Sequence, residues 1–176
     1  MKPGRAVAIA AALTAASCAT EPPRRPAPPA PVILTPAPEP VMSARAYVTS
    51  AASFDLFVIR AAQVAAVRAR DPGVRAQARA ELADHRGLSA QMSFAGRRLD
   101  LLPPAAMVTG DARDLALLEA STDFDAAYKK QLIAKHYHQL RISRDVAARS
   151  SSPTLRPVAR NAAAVIARHL DRLGAL

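Results

Sequence analysis

Three of the four histidines in the chain are placed where they could act together. His85, His136 and His169 each fall on the apolar face of a predicted helix, and Glu81 lies one turn before His85 on the same face. His138 follows His136 by two residues, so it points away from that face and we expect it in solvent. Imidazoles from separate helices with a nearby carboxylate form a ligand set for zinc, copper or iron.

Two other interpretations of these histidines remain open. They could form a polar layer inside an apolar core, hydrogen-bonded to neighbours such as Asp125, Tyr128 and Ser89. They could also act as a switch that responds to protons, since histidine changes charge near neutral pH. In each case we expect Asp84, Asp125 and Tyr128 to be supporting polar residues.

The elements that position these residues are predicted to be helices. Aromatic residues make up only 4% of the chain and tryptophan is absent, while alanine, the best helix former, is abundant. Apolar residues at three- and four-residue spacing predict long helices over 44–69, 72–98, 122–149 and a last one ending near Leu173, with a short helix over 111–119. We therefore predict an all-α, ferritin-like four-helix bundle, with the short helix in the long connection between the second and third long helices.

The predicted turns also set the height of each histidine in the bundle. A turn centred near residue 71 puts His85 opposite Val58, and a turn near residue 151 puts His136 within a turn of His169. The three imidazoles are therefore expected at about one level of the core.

The N-terminal segment 1–17 has the parts of a secretory signal: Lys2 and Arg5, then an apolar run too short to span a bilayer. Small residues precede Cys18, the single cysteine, as in bacterial lipoproteins, and a lone cysteine forms no intramolecular disulfide. We expect Cys18 to be lipidated. Ala19 follows it rather than aspartate, which by the same resemblance favours the outer membrane, with the protein facing the periplasm.

A proline-rich segment follows and completes the predicted linker, residues 18–43. Nine prolines between Pro22 and Pro40 prevent helix formation and predict a semi-rigid tether, or a ligand for a proline-binding partner. The helical domain then occupies residues 44–176.

The formal net charge of +10 has two interpretations. The charge could attract anionic lipids, other envelope polyanions or a protein partner. Alternatively, it reflects a GC-rich genome, because alanine, arginine, proline and glycine all have GC-rich codons. No nucleic-acid motif appears, so nucleic acid is not an expected partner. The chain also lacks a Gly-rich phosphate loop and a G-x-S-x-G motif, which disfavours an enzyme.

Three stretches carry a family resemblance, between Ala46 and Leu173: "AYVTSAASFDLFVIRAAQVAAVRARDPGVRAQARAELADH", "FDAAYKKQLIAKHYHQL" and "LRPVARNAAAVIARHL". They resemble a bacterial family of exported proteins, domain of unknown function 4142. The resemblance implies a ferritin-like fold in the periplasm or at the outer membrane, and no known activity. Members commonly carry glutamate where this chain has Val58, which implies that an inward carboxylate is missing here.

Two functions follow as hypotheses. The first is a non-enzymatic cell-envelope lipoprotein with a structural or interaction role. The alternative is a periplasmic metal-binding or metal-handling module that uses His85, His136 and His169. A ferritin-type di-iron site is disfavoured, because the residues three before these histidines are Leu82, Ile133 and Ile166 rather than glutamate.

Overall fold

The computed structural model describes residues 41–176. The predicted signal segment, Cys18 and nearly all of the proline-rich linker lie outside these residues. Within 41–176 the chain forms five α-helices and no strands: α1 (Ala44–Arg68), α2 (Pro72–Arg98), α3 (Thr109–Ala120), α4 (Phe124–Arg149) and α5 (Leu155–Gly174). The all-helical prediction and the number of helices are confirmed.

Local sequence signals account for the helix boundaries. The side chain of Asp71 accepts hydrogen bonds from the backbone amides of Gly73 and Val74, and Pro72 occupies the first turn of α2. Ser43 caps α1 through the amide of Ala46 in the same way. Capping satisfies amides that have no partner within the helix, and so fixes where each helix begins.

The four long helices pack as a bundle. α1 lies along α2 and α4 lies along α5, and the two pairs meet through α1 with α4 and α2 with α5. By length and apolar composition α1 could cross a membrane, but 56% of its apolar window is buried in this bundle. We therefore describe it as a core helix.

The short helix α3 packs on α1 and α4. Ser53 of α1 accepts a hydrogen bond from the amide of Val108 at 2.9 Å and donates one to Asp111. Lys135 of α4 binds Asp111 at 2.5 Å and Asp114 at 2.6 Å. These polar contacts hold α3 across one side of the bundle.

Candidate metal centre

Three histidine rings meet in the middle of the bundle. His85 on α2, His136 on α4 and His169 on α5 are each 0% exposed. Their ring centres are 5.4 Å apart for His85 and His136, 5.5 Å for His85 and His169, and 5.8 Å for His136 and His169. His138 is exposed, as its position in the sequence predicts. The structure thus brings together the three histidines that the sequence places inside.

The Nδ1 atom of each ring has a partner, and the partner fixes the tautomer. His85 Nδ1–H donates to Oδ1 of Asp55 at 2.8 Å, and His136 Nδ1–H donates to the backbone carbonyl of Leu132 at 2.8 Å. A carboxylate and a carbonyl only accept, so Nε2 of both rings keeps its lone pair in the neutral form. This is the arrangement of metal-binding histidines, whose other nitrogen donates to a carboxylate or a backbone carbonyl.

His169 differs from the other two rings. Its Nδ1 lies 3.0 Å from the side-chain amide nitrogen of Gln77, which donates, so the proton of neutral His169 is on Nε2. Nε2 lies 3.1 Å from Oδ2 of Asp84, but outside hydrogen-bonding geometry. To bind a metal through Nε2, His169 has to carry its proton on Nδ1 instead, and Gln77 has to present its amide oxygen to that Nδ1–H.

All three Nε2 atoms are buried and without a hydrogen-bond partner. Buried polar atoms without partners are rare and costly, and three of them in one cluster need an explanation. If the three rings bound one tetrahedral ion with metal–nitrogen bonds of ~2.0 Å, their ring centres would lie ~5 Å apart. The ring centres in this cluster are slightly farther apart than that. Within residues 41–176, no three His, Cys, Asp or Glu side chains already surround one point as a metal site, so the rings have to move together to bind an ion.

The surroundings keep two of these rings neutral near pH 7. Burial, together with the neighbouring His85, holds the pKa of His136 well below its usual value, although the bond to Leu132 acts in the opposite direction. Burial and the neighbouring His85 lower the pKa of His169 to about 4, against the effect of Asp84. Neutral imidazole is the form that binds metals, so neither ring has to lose a positive charge near pH 7 before it binds an ion, although His169 still has to change its tautomer.

The Glu81 carboxylate lies close to His136, with Oε1 3.9 Å from Nε2. It is 0% exposed and accepts hydrogen bonds from the Tyr128 hydroxyl and from the Gln77 amide, the latter at 2.9 Å. Burial raises its pKa, and these two hydrogen bonds partly oppose that rise. A cation in the centre would favour the ionised form of Glu81.

Replacing Tyr128 by Phe is expected to destabilise the protein by about 1–3 kcal/mol, because a buried carboxylate loses a hydrogen-bond donor. Urea unfolding followed by circular dichroism measures the change. The matched control is Tyr137→Phe on the same helix, whose side chain is 62% exposed and which should stay within about 0.5 kcal/mol of wild type. Equal stability of the two variants would show that Glu81 does not depend on the Tyr128 hydroxyl.

Two sequence-based expectations for neighbouring residues are wrong. Asp125 does not reach the histidines: its carboxylate accepts the backbone amides of Arg70 and Asp71 in the turn between α1 and α2. The inward carboxylate inferred to be missing at Val58 is supplied by Asp55, one turn earlier on α1.

Asp55 and Gln77 are the two functional candidates that sequence reasoning missed. Asp55 is 4% exposed, and burial raises its pKa while the bond from His85 lowers it. Its signal in the sequence is a single charged residue inside the otherwise apolar run "FDLFVI". Gln77 precedes Glu81 by one turn on α2, so the apolar face of that helix carries polar residues at 77, 81 and 85.

Comparison with solved structures shows the same fold in CopM in its Cu(II)-bound form. The similarity covers 77% of this chain and 95% of CopM, with a TM-score of 0.65 and 15% sequence identity. A search of curated proteins finds no match. At this level of identity, the likeness to CopM concerns the fold.

The sequence itself matches one family model, described as "Domain of unknown function (DUF4142)", over residues 31–176. The match includes every helix of the bundle and the whole histidine cluster. The chain belongs to this family of domains, DUF4142.

Proposed function

We propose that the protein binds a transition-metal ion between His85, His136 and His169. The observation that carries this proposal is the set of three buried Nε2 atoms, from three helices, that have no hydrogen-bond partner. An ion would give all three atoms a partner at once. The Nδ1 bonds of His85 and His136 already orient two of these rings as ligands.

The donor chemistry suits zinc, copper or iron, which accept imidazole and carboxylate ligands. Glu81 would add an oxygen ligand or balance the charge of the ion. The fold shared with CopM, whose structure holds Cu(II), makes copper the first ion to test. The one long connection between α2 and α4, which carries α3, fits a ferritin-like bundle, and we include that assignment in the proposal.

We assign the centre to metal binding or handling rather than to catalysis. The three rings are fully buried, and no nucleophile paired with a base is found beside them in the described part of the chain. If no ion binds, the alternative proposal is a structural or interaction role in the cell envelope.

Metal binding is tested by equilibrium dialysis of the untagged protein against Cu(II), and separately against Zn(II), followed by measurement of metal and protein. We expect one ion per chain, and less than one in the triple variant in which His85, His136 and His169 are changed to Ala. Binding that is absent, or equal in wild type and the triple variant, would contradict the proposal.

We also propose that Cys18 carries a lipid that anchors the protein in the outer membrane, with the bundle in the periplasm. This proposal is supported by the small residues and apolar run before Cys18 and by the proline-rich segment after it, which would hold the domain away from the membrane. The basic charge of the chain would add attraction to anionic head groups.

Cys18→Ser is expected to move the protein from the membrane fraction to the soluble fraction, because two or more acyl chains are lost. Fractionation with immunoblotting measures the shift, and Ser17→Ala is the matched control that keeps the cysteine. Mass spectrometry of the mature protein that finds an intact, unacylated Cys18 would contradict the anchor.

A further inference from the structure

A cleft lies next to the histidine cluster, between α1, α3 and α4. Its volume is about 650 Å³, and its walls include Ser50 and Phe54 of α1, Asp111 and Asp114 of α3, and Lys135 of α4. Clefts of this size accommodate small ligands. The ion pairs that hold α3 in place also form one side of this cleft. The short helix therefore supplies a wall of the cleft as well as connecting α2 to α4.

Phe54 contacts both the cleft and the histidines. Its ring lines the cleft, and it also packs edge-on against His85 at 5.2 Å and His136 at 5.1 Å between ring centres, with interplanar angles of 80° in both cases. The side chain is 4% exposed. Since the histidine rings themselves are fully buried, an ion needs a route through the protein, and Phe54 touches both the cleft and two of the three rings.

The groups around the cleft suit a cation on its way inward. Asp111 and Asp114 carry two negative charges against the single positive charge of Lys135, in a chain whose formal net charge is +10. The Asp114 side chain is 40% exposed and accessible from solvent. Oε1 of Gln131, in the wall of the cleft, is buried and has no hydrogen-bond partner. A local excess of negative charge concentrates cations at such a site.

We propose that the metal ion reaches the histidine centre through this cleft, and that the Phe54 side chain has to move to admit it. The inference rests on the proposed metal site and adds its route of access. A barrier of this kind controls how fast the ion enters and leaves, while the ligands control how tightly it is held.

The test is stopped-flow mixing of Cu(II) with the protein, using quenching of tyrosine fluorescence, and displacement by a chelator for the reverse rate. Phe54→Leu, with the smaller side chain, is expected to raise both the association and the dissociation rate by about tenfold, with a smaller change in Kd. Phe57→Leu is the matched control: Phe57 is fully buried one turn along α1 and packs near Lys135, and its variant should keep the wild-type rates. Circular dichroism confirms that both variants are folded.

A second pair of variants tests the charge of the cleft. Asp114→Asn should slow association at low salt and leave dissociation unchanged, whereas Asp171→Asn, on the exposed side of α5, should change neither rate. Saturable Cu(II) binding with wild-type rates in Phe54→Leu would overturn the route and leave the metal site standing. Absence of saturable binding in the wild-type protein would overturn both.

Discussion

Addition of Cu(II) to the metal-free protein is expected to raise its melting temperature. An ion that binds only the folded state stabilises it by about 2.7 kcal/mol when its free concentration is one hundred times Kd, which is roughly 10 °C for a domain of this size. The rise comes from ligation of the three Nε2 atoms that otherwise have no partner. Thermal unfolding followed by circular dichroism, with and without the ion, measures it.

Four single variants identify the ligands. His85→Ala, His136→Ala and His169→Ala should each lose most of the rise, because each removes one ligand from the centre. His138→Ala, in the same helix as His136 but exposed in the wall of the cleft, should keep the full rise because it removes no ligand of the centre. A rise that survives all three inward substitutions and disappears with His138→Ala would place the binding site on the surface and contradict the proposed centre.

Asp55→Asn is expected to weaken metal binding by about 10–100-fold, the effect usually found when the partner of a ligating histidine is changed. The Asp55 carboxylate accepts the Nδ1 proton of His85 at 2.8 Å, which keeps the lone pair on Nε2 and makes that nitrogen a stronger ligand. Isothermal titration with Cu(II) gives the affinity.

Asp125→Asn is the matched control for Asp55→Asn. Asp125 also uses a carboxylate to accept hydrogen bonds, but from backbone amides in the turn between α1 and α2. Its variant should lose stability and keep the wild-type affinity for the ion. Equal losses of affinity in the two variants would mean that general destabilisation, not the orientation of His85, explains the effect.

The helices and the inward faces of the histidines were predictable because both depend on nearby residues. The caps at Ser43 and Asp71 are made with amides two or three residues away, and apolar spacing reports which side of a helix is buried. The predicted helix ends therefore agree with the observed ones within two residues. The same periodicity placed His85, His136 and His169 inside and His138 outside.

The partners of these histidines were decided by the way the helices pack. Asp55 and Val58 are one turn apart on the same side of α1, so the rotation and offset of α1 against α2 determine which of them meets His85. Spacing along the chain cannot resolve a difference of one turn between two helices. The roles of Tyr128 as a donor to Glu81, and of Phe54 between the cleft and the rings, likewise depend on contacts between residues far apart in the sequence. Local physics thus specified the elements and their buried faces, while the packing of those faces against one another selected the atoms that touch.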